Sequence, residues 1–73
     1  MEKPLKEELG RKMKERREQL GMTQRAAAQA LGFSQPTYQR FEAGILECSY
    51  SQLVAICKLF DLSADYLLGL TDY

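Results

Sequence analysis

The feature that most constrains this chain is the four-residue link Leu31-Gly32-Phe33-Ser34. It separates two segments that each read as helix, so the chain must turn a sharp corner between them. Gly32 can take the positive φ that such a corner demands. Ala28 precedes it by one helical turn and is small enough to let the next helix come close. Tyr38 and Phe41 follow on one face of that helix, where they plug the angle between the two. Ala27, Leu31 and Phe33 complete the cluster. Small residue, glycine, then large apolar residues at these offsets are what a helix-turn-helix needs sterically.

Glycines and capping residues divide the rest in the same way, into five short helical segments without strand-like alternation. The first runs over about residues 5–20, with an apolar stripe of Leu5, Leu9, Met13 and Leu20 and with Arg17 in its gap; Gly21 ends it. The second starts on Thr23 as N-cap and ends at Leu31. The third starts on Ser34, tolerates Pro36 in its first turn and ends before Gly44. The fourth starts near Ser49 or Ser51 and turns Leu53, Ile56, Cys57 and Phe60 inward. The fifth starts on Ser63, carries Tyr66, Leu67 and Leu68 and stops at Gly69. On the third helix, spacing puts Tyr38, Phe41 and Ile45 inside, and Gln35, Pro36, Gln39, Arg40 and Ala43 outside.

Seventy-three residues make one domain, 1–73 with a core over 5–70. A chain of this size buries only about 60% of its unfolded surface and usually needs added support. Two cysteines and no histidine supply neither a disulfide framework nor a zinc site. Cys48 and Cys57 are therefore read as reduced, small apolar side chains of a cytosolic protein, which leaves oligomerisation as the extra source of stability. No apolar run approaches the ~20 residues of a membrane span, and Met1-Glu2-Lys3-Pro4 does not begin a signal peptide. The expected location is the cytoplasm, at the nucleoid. Net charge is zero but unevenly distributed: nine basic and five acidic residues over 1–40, against Lys58 and five acidic residues over 41–73. Such asymmetry can aim a positive end at phosphate; its plainer meaning is a solvated face on the first helix.

Longer stretches are more specific. Gly10-Arg11-Lys12-Met13, Gly21-Met22-Thr23-Gln24, Ala27-Ala28, Leu31-Gly32, Ser34 and Phe41-Glu42-Ala43-Gly44 resemble the lambda-repressor-like family, the Cro, phage-repressor or XRE type of helix-turn-helix. Leu53, Ile56, Phe60, Leu62-Ser63 and Asp65-Tyr66-Leu67-Leu68-Gly69 resemble its fourth and fifth helices. The resemblance covers about residues 9–70 and implies an all-α, compact five-helix domain whose third helix enters the DNA major groove while the second lies across the backbone. Base readout would fall to Gln35, Pro36, Thr37, Gln39 and Arg40. Gln pairs with adenine N6/N7, Arg with guanine O6/N7, and the carbons of Pro36 and Thr37 touch a thymine methyl; exposed glutamines are otherwise simply solvated. The resemblance gives phosphate to Gln24 and to Thr23, which is equally an N-cap. Arg25, Ala43 and the basic face of helix one (Arg11, Lys12, Lys14) would add to it. The half-buried Arg17 needs a partner, and Glu42 is the family's matching position, a structural ion pair rather than a contact with DNA.

The chain departs from that pattern in the loop Ile45-Leu46-Glu47-Cys48-Ser49-Tyr50, where basic or polar residues and a proline are common. Glu47 repels phosphate, which implies weaker binding and a shallower salt dependence. The apolar Ile45, Leu46 and Leu70 suggest either local packing or a homodimer patch formed by loop 45–50 and residues 67–73. The expected function is a sequence-specific double-stranded DNA-binding regulator, a small repressor acting as a dimer on a pseudo-palindromic operator. With no sensor segment in the chain, no small-molecule ligand, cofactor or metal is expected. The alternative is a protein-interaction module on the same fold, an antitoxin or anti-regulator. An enzyme is not expected: there is no histidine, nucleophile elbow or phosphate loop, and Cys48 has only Lys58 near it in sequence to lower its pKa.

Overall fold

A computed structural model describes residues 5–72. The N-terminal tetrapeptide and Tyr73, which figured in the readings of the N-terminus and of the 67–73 patch, lie outside the described residues. Among the described residues the regular structure is all helical: α1 (Leu5–Gln19), α2 (Gln24–Leu31), α3 (Gln35–Glu42), α4 (Tyr50–Phe60) and α5 (Ala64–Leu67). None of these helices is long and apolar enough to cross a membrane.

Each of the last four helices begins on a hydroxyl N-cap. Thr23, Ser34, Ser49 and Ser63 accept from the backbone amides of Ala26, Thr37, Gln52 and Tyr66. At Ser49 the cap is reciprocal, because the Gln52 side chain accepts from the Ser49 amide at 2.8 Å. This capping box starts α4 without the proline that is common in the family and decides between the two candidate serines. The end of α4 has no glycine; Asp61 takes the left-handed conformation there, at φ 52°, which aspartate tolerates better than most side chains.

The buried core joins all five helices: Leu9 and Met13 from α1, Ala27 and Ala28 from α2, Tyr38 and Phe41 from α3, Ile56 and Phe60 from α4, and Leu67 from α5. Three expectations are corrected here. Leu5 and Leu20 are exposed, at 62% and 45%. The buried run of α1 is confined to Leu9, Gly10, Lys12 and Met13, and Leu20 falls beyond the last helical residue. Ile45 is 60% exposed, because α3 has already ended at Glu42 and position 45 no longer follows its inner face. Leu67 belongs to the core, so it cannot contribute to an intermolecular patch.

The close approach of α1 to α3 rests on Gly10. A Cβ at that position would run into the carbonyl oxygens of Phe41 and Glu42, 2.7 Å from the latter. Alanine gains about 1 kcal/mol of helix propensity, but overpacking against backbone costs about 1–3 kcal/mol. Because backbone cannot swing aside, Gly10→Ala is expected to lower the urea midpoint. A midpoint equal to or above that of the wild type would mean that α1 and α3 can separate without loss.

Candidate nucleic-acid interface

The corner between α2 and α3 is closed by the backbone. Gly32 takes φ 76°, and the Phe33 amide reaches back to the Ala28 carbonyl at 2.9 Å. Phe33 then stacks on Phe41 with ring centroids 5.3 Å apart, so the turn grips the far end of α3. With Tyr38 and Phe41 buried, the opposite side of α3 faces outward. Gln35, Pro36, Gln39 and Arg40 are exposed and Thr37 is half-buried. Thr37 Oγ1 lies 2.8 Å from Ser34 Oγ, a link that residue types alone do not signal.

One buried carboxylate fixes the angle at which this face is held. Glu42 accepts from Arg17 Nε at 2.6 Å, Arg17 Nη2 at 3.2 Å and Gln24 Nε2 at 3.1 Å, while Arg17 Nη1 donates to the Met22 carbonyl at 2.9 Å. The two charged side chains are 11% and 4% exposed. α1, the α1–α2 turn, the start of α2 and the end of α3 thus meet at one ion pair. Burial pushes Glu42 toward protonation, but Arg17, together with Tyr38 and Gln24, overcomes this and holds it below the usual carboxylate range. The Tyr38 hydroxyl is buried beside this pair without reaching hydrogen-bonding geometry, and burial pushes its pKa far up.

The residues expected at phosphate are placed as follows by their bonds within the chain. Gln24 commits one amide hydrogen to Glu42. Thr23 is the N-cap, bonded to the Ala26 amide at 3.0 Å. The Ala43 amide donates to Gln39 at 2.9 Å, so position 43 offers no donor. Arg11 is held between Glu8 and Glu15 at 2.8 and 2.6 Å, which neutralises it within α1. Lys12 is buried: its Nζ donates to the Tyr66 carbonyl at 2.6 Å and lies 4.6 Å from the Tyr66 ring centroid. Arg16 caps α4 in the same way, donating to the Phe60 carbonyl at 2.8 Å. Both satisfy carbonyls at the negative ends of helices. Sequence reasoning missed these roles, although Lys12 sits between the buried Leu9 and Met13 at helical spacing. The exposed cations that make no bond among the described residues include Lys14, Arg25 and Arg40.

Cys48 and Cys57 are free thiols, and burial pushes both pKa values up, the opposite of activation. Among the described residues no cluster of His, Cys, Asp or Glu is arranged to hold a metal ion.

Arg17→Ala and Glu42→Ala are each expected to cost about 3–5 kcal/mol in chemical denaturation, because each strands a buried charge. If both unfold like the wild type, the pair carries no stability. Because the folded pKa of Glu42 is lowered, its contribution is complete above the ordinary carboxylate range. It is lost as pH falls through the depressed folded value. The Tm difference between wild type and Glu42→Gln should therefore narrow as pH falls from about 5 to about 3. Tyr38→Phe removes no hydrogen bond and is expected to stay within about 0.5 kcal/mol of wild type or to exceed it. A loss above that would reveal a bond at the hydroxyl.

A family profile described as a helix-turn-helix domain matches residues 8–67. The chain is 39% identical over 56 residues to the uncharacterized HTH-type transcriptional regulator YqaE of Bacillus subtilis (strain 168), covering 77% of this chain and 48% of that protein. It is 35% identical over 51 residues to the uncharacterized HTH-type transcriptional regulator YobD of the same organism, covering 70% and 46%. It is 33% identical over 61 residues to the HTH-type transcriptional regulator ImmR, also from that organism, covering 84% and 48%. The chain thus spans about half the length of the curated relatives it matches. No solved structure matches it significantly. The profile match takes in both helices of the turn, the Arg17–Glu42 pair and the last two helices, and the chain belongs to the lambda-repressor-like, XRE-type helix-turn-helix family.

Proposed function

We propose that this chain is a sequence-specific DNA-binding transcriptional regulator, a small cytoplasmic repressor that blocks a promoter by occupying it. α3 enters the major groove and α2 lies across the backbone. The observation that carries this reading is the two-sidedness of α3. Its inner face is locked into the core, and its outer face presents Gln35, Pro36, Thr37, Gln39 and Arg40 on a rigid mount. Arg40 and Gln35 supply hydrogen-bonding groups for guanine and adenine edges. Arg25, Lys14 and the first-turn amides of α2 take phosphate.

The five helices act as a single domain built on one core, and the chain binds as a homodimer. The interface includes loop 45–50 and the C-terminal residues other than Leu67. In support, Tyr50 and Leu70 are 91% and 74% exposed, and Tyr50 lines a groove with the uncharged Cys48, Ser49, Leu53 and Leu68. An uncharged patch suits a two-fold contact, in which any charge at the axis faces its own copy.

The test is selection of purified protein against random duplex DNA at moderate salt. Two inverted half-sites about 34 Å apart are expected in the enriched pool. Gln35→Ala and Arg40→Ala should each lose about 1–3 kcal/mol of discrimination with unchanged melting. With few free cations, log K should fall with log salt no more steeply than about −3 per protomer. A well-folded protein that enriches no duplex would leave the protein-interaction reading, as an antitoxin or anti-regulator, in its place.

A further inference from the structure

Thr37 has two groups to offer DNA, a hydroxyl and a methyl, and the start of α3 bears on which is used. Ser34 is the N-cap, so its hydroxyl is fixed by the helix it begins: Ser34 Oγ accepts from the Thr37 amide at 3.2 Å. The same oxygen lies 2.8 Å from Thr37 Oγ1. A β-branched side chain is stiff at χ1, so drawing Oγ1 back toward Ser34 sends the methyl to a different staggered position. Next to it stands Pro36, exposed, with ring carbons and no amide hydrogen. Gln35 on one side and Gln39 and Arg40 on the other are exposed and polar.

Resting on the reading of α3 as the recognition helix, we propose that Pro36 and the Thr37 methyl form an apolar step that selects thymine through its 5-methyl group. Ser34 acts as a positioning residue by holding the Thr37 hydroxyl away from the groove. In the major groove the thymine methyl is the apolar feature among the base edges, and cytosine carries hydrogen at the same ring position. Polar readout then falls to Gln35, Gln39 and Arg40 on either side. Two hydroxyls in contact leave one proton over, so replacement of the Thr37 hydroxyl decides whether DNA uses it.

The probe is the duplex enriched by the wild-type protein, with each thymine of a half-site replaced in turn by uracil, which removes the methyl alone. At one thymine, wild type should lose about fourfold in affinity, the worth of one buried methyl-sized group. Thr37→Val keeps the methyl and discards the hydroxyl; it should bind like wild type and keep the thymine-over-uracil ratio. Thr37→Ser keeps the hydroxyl and loses the methyl; its ratio should fall toward unity. Both variants retain the backbone bond to Ser34, and equal helicity and Tm serve as the folding control. The proposal is overturned if no thymine is methyl-sensitive, if Thr37→Ser keeps the ratio, or if Thr37→Val loses the duplex. Those outcomes leave sequence-specific binding standing, whereas failure to enrich any duplex removes both readings together.

Discussion

The carboxylate of Glu42 is the point on which the arrangement of the first three helices depends. A buried charge is costly unless it is paired and hydrogen-bonded, and Glu42 meets that demand with donors from Arg17 and Gln24. Those donors arise from α1 and α2, and Arg17 also holds the α1–α2 turn through the Met22 carbonyl. Such a site tolerates little change in geometry, since a small rotation of α3 would break several short bonds around a charge with little access to water. The same contact that resists unfolding therefore fixes how the outer face of α3 is presented. Gly10 allows it by letting α1 approach the last carbonyls of α3.

The treatment of positive charge follows from this internal demand. The basic N-terminal half invites reading as a phosphate-binding surface, yet four of its cations are committed within the chain. Arg17 neutralises Glu42, Arg11 sits between two glutamates of its own helix, and Lys12 and Arg16 satisfy carbonyls at the ends of α5 and α4. For a small core these contacts matter, because the four-residue α5 has little apolar surface with which to dock. Lys12 holds it both through its carbonyl and through the ring of Tyr66. The consequence is that fewer of the cations in the N-terminal half remain free of partners within the chain.

The edges of the fold show how local capping replaces family-typical residues. The α3–α4 loop lacks the expected proline, yet Ser49 and Gln52 start α4 with a reciprocal pair of bonds. No glycine follows α4, yet Asp61 turns the chain in the left-handed region. What these substitutes leave is an apolar rim, with Leu5, Ile45, Tyr50, Val54 and Leu70 exposed.

Local patterning determined most of the architecture. Hydroxyl caps, glycine stops and helical spacing mark the helices, and the Gly32 corner with Tyr38 and Phe41 behind it marks the turn, because these signals act within a few residues. The Arg17–Glu42 pair was legible because a charge on an apolar stripe requires a partner. Tertiary structure decided the rest. Which cations remain free, which part of the α1 stripe is covered, and that Leu67 is core while Ile45 is not all depend on contacts between residues far apart in sequence. So does the link between Gln24 and Glu42, which turns an expected phosphate donor inward. Periodicity fixes which side of a helix a residue occupies; only packing against other helices fixes whether that side is covered and what its charges meet.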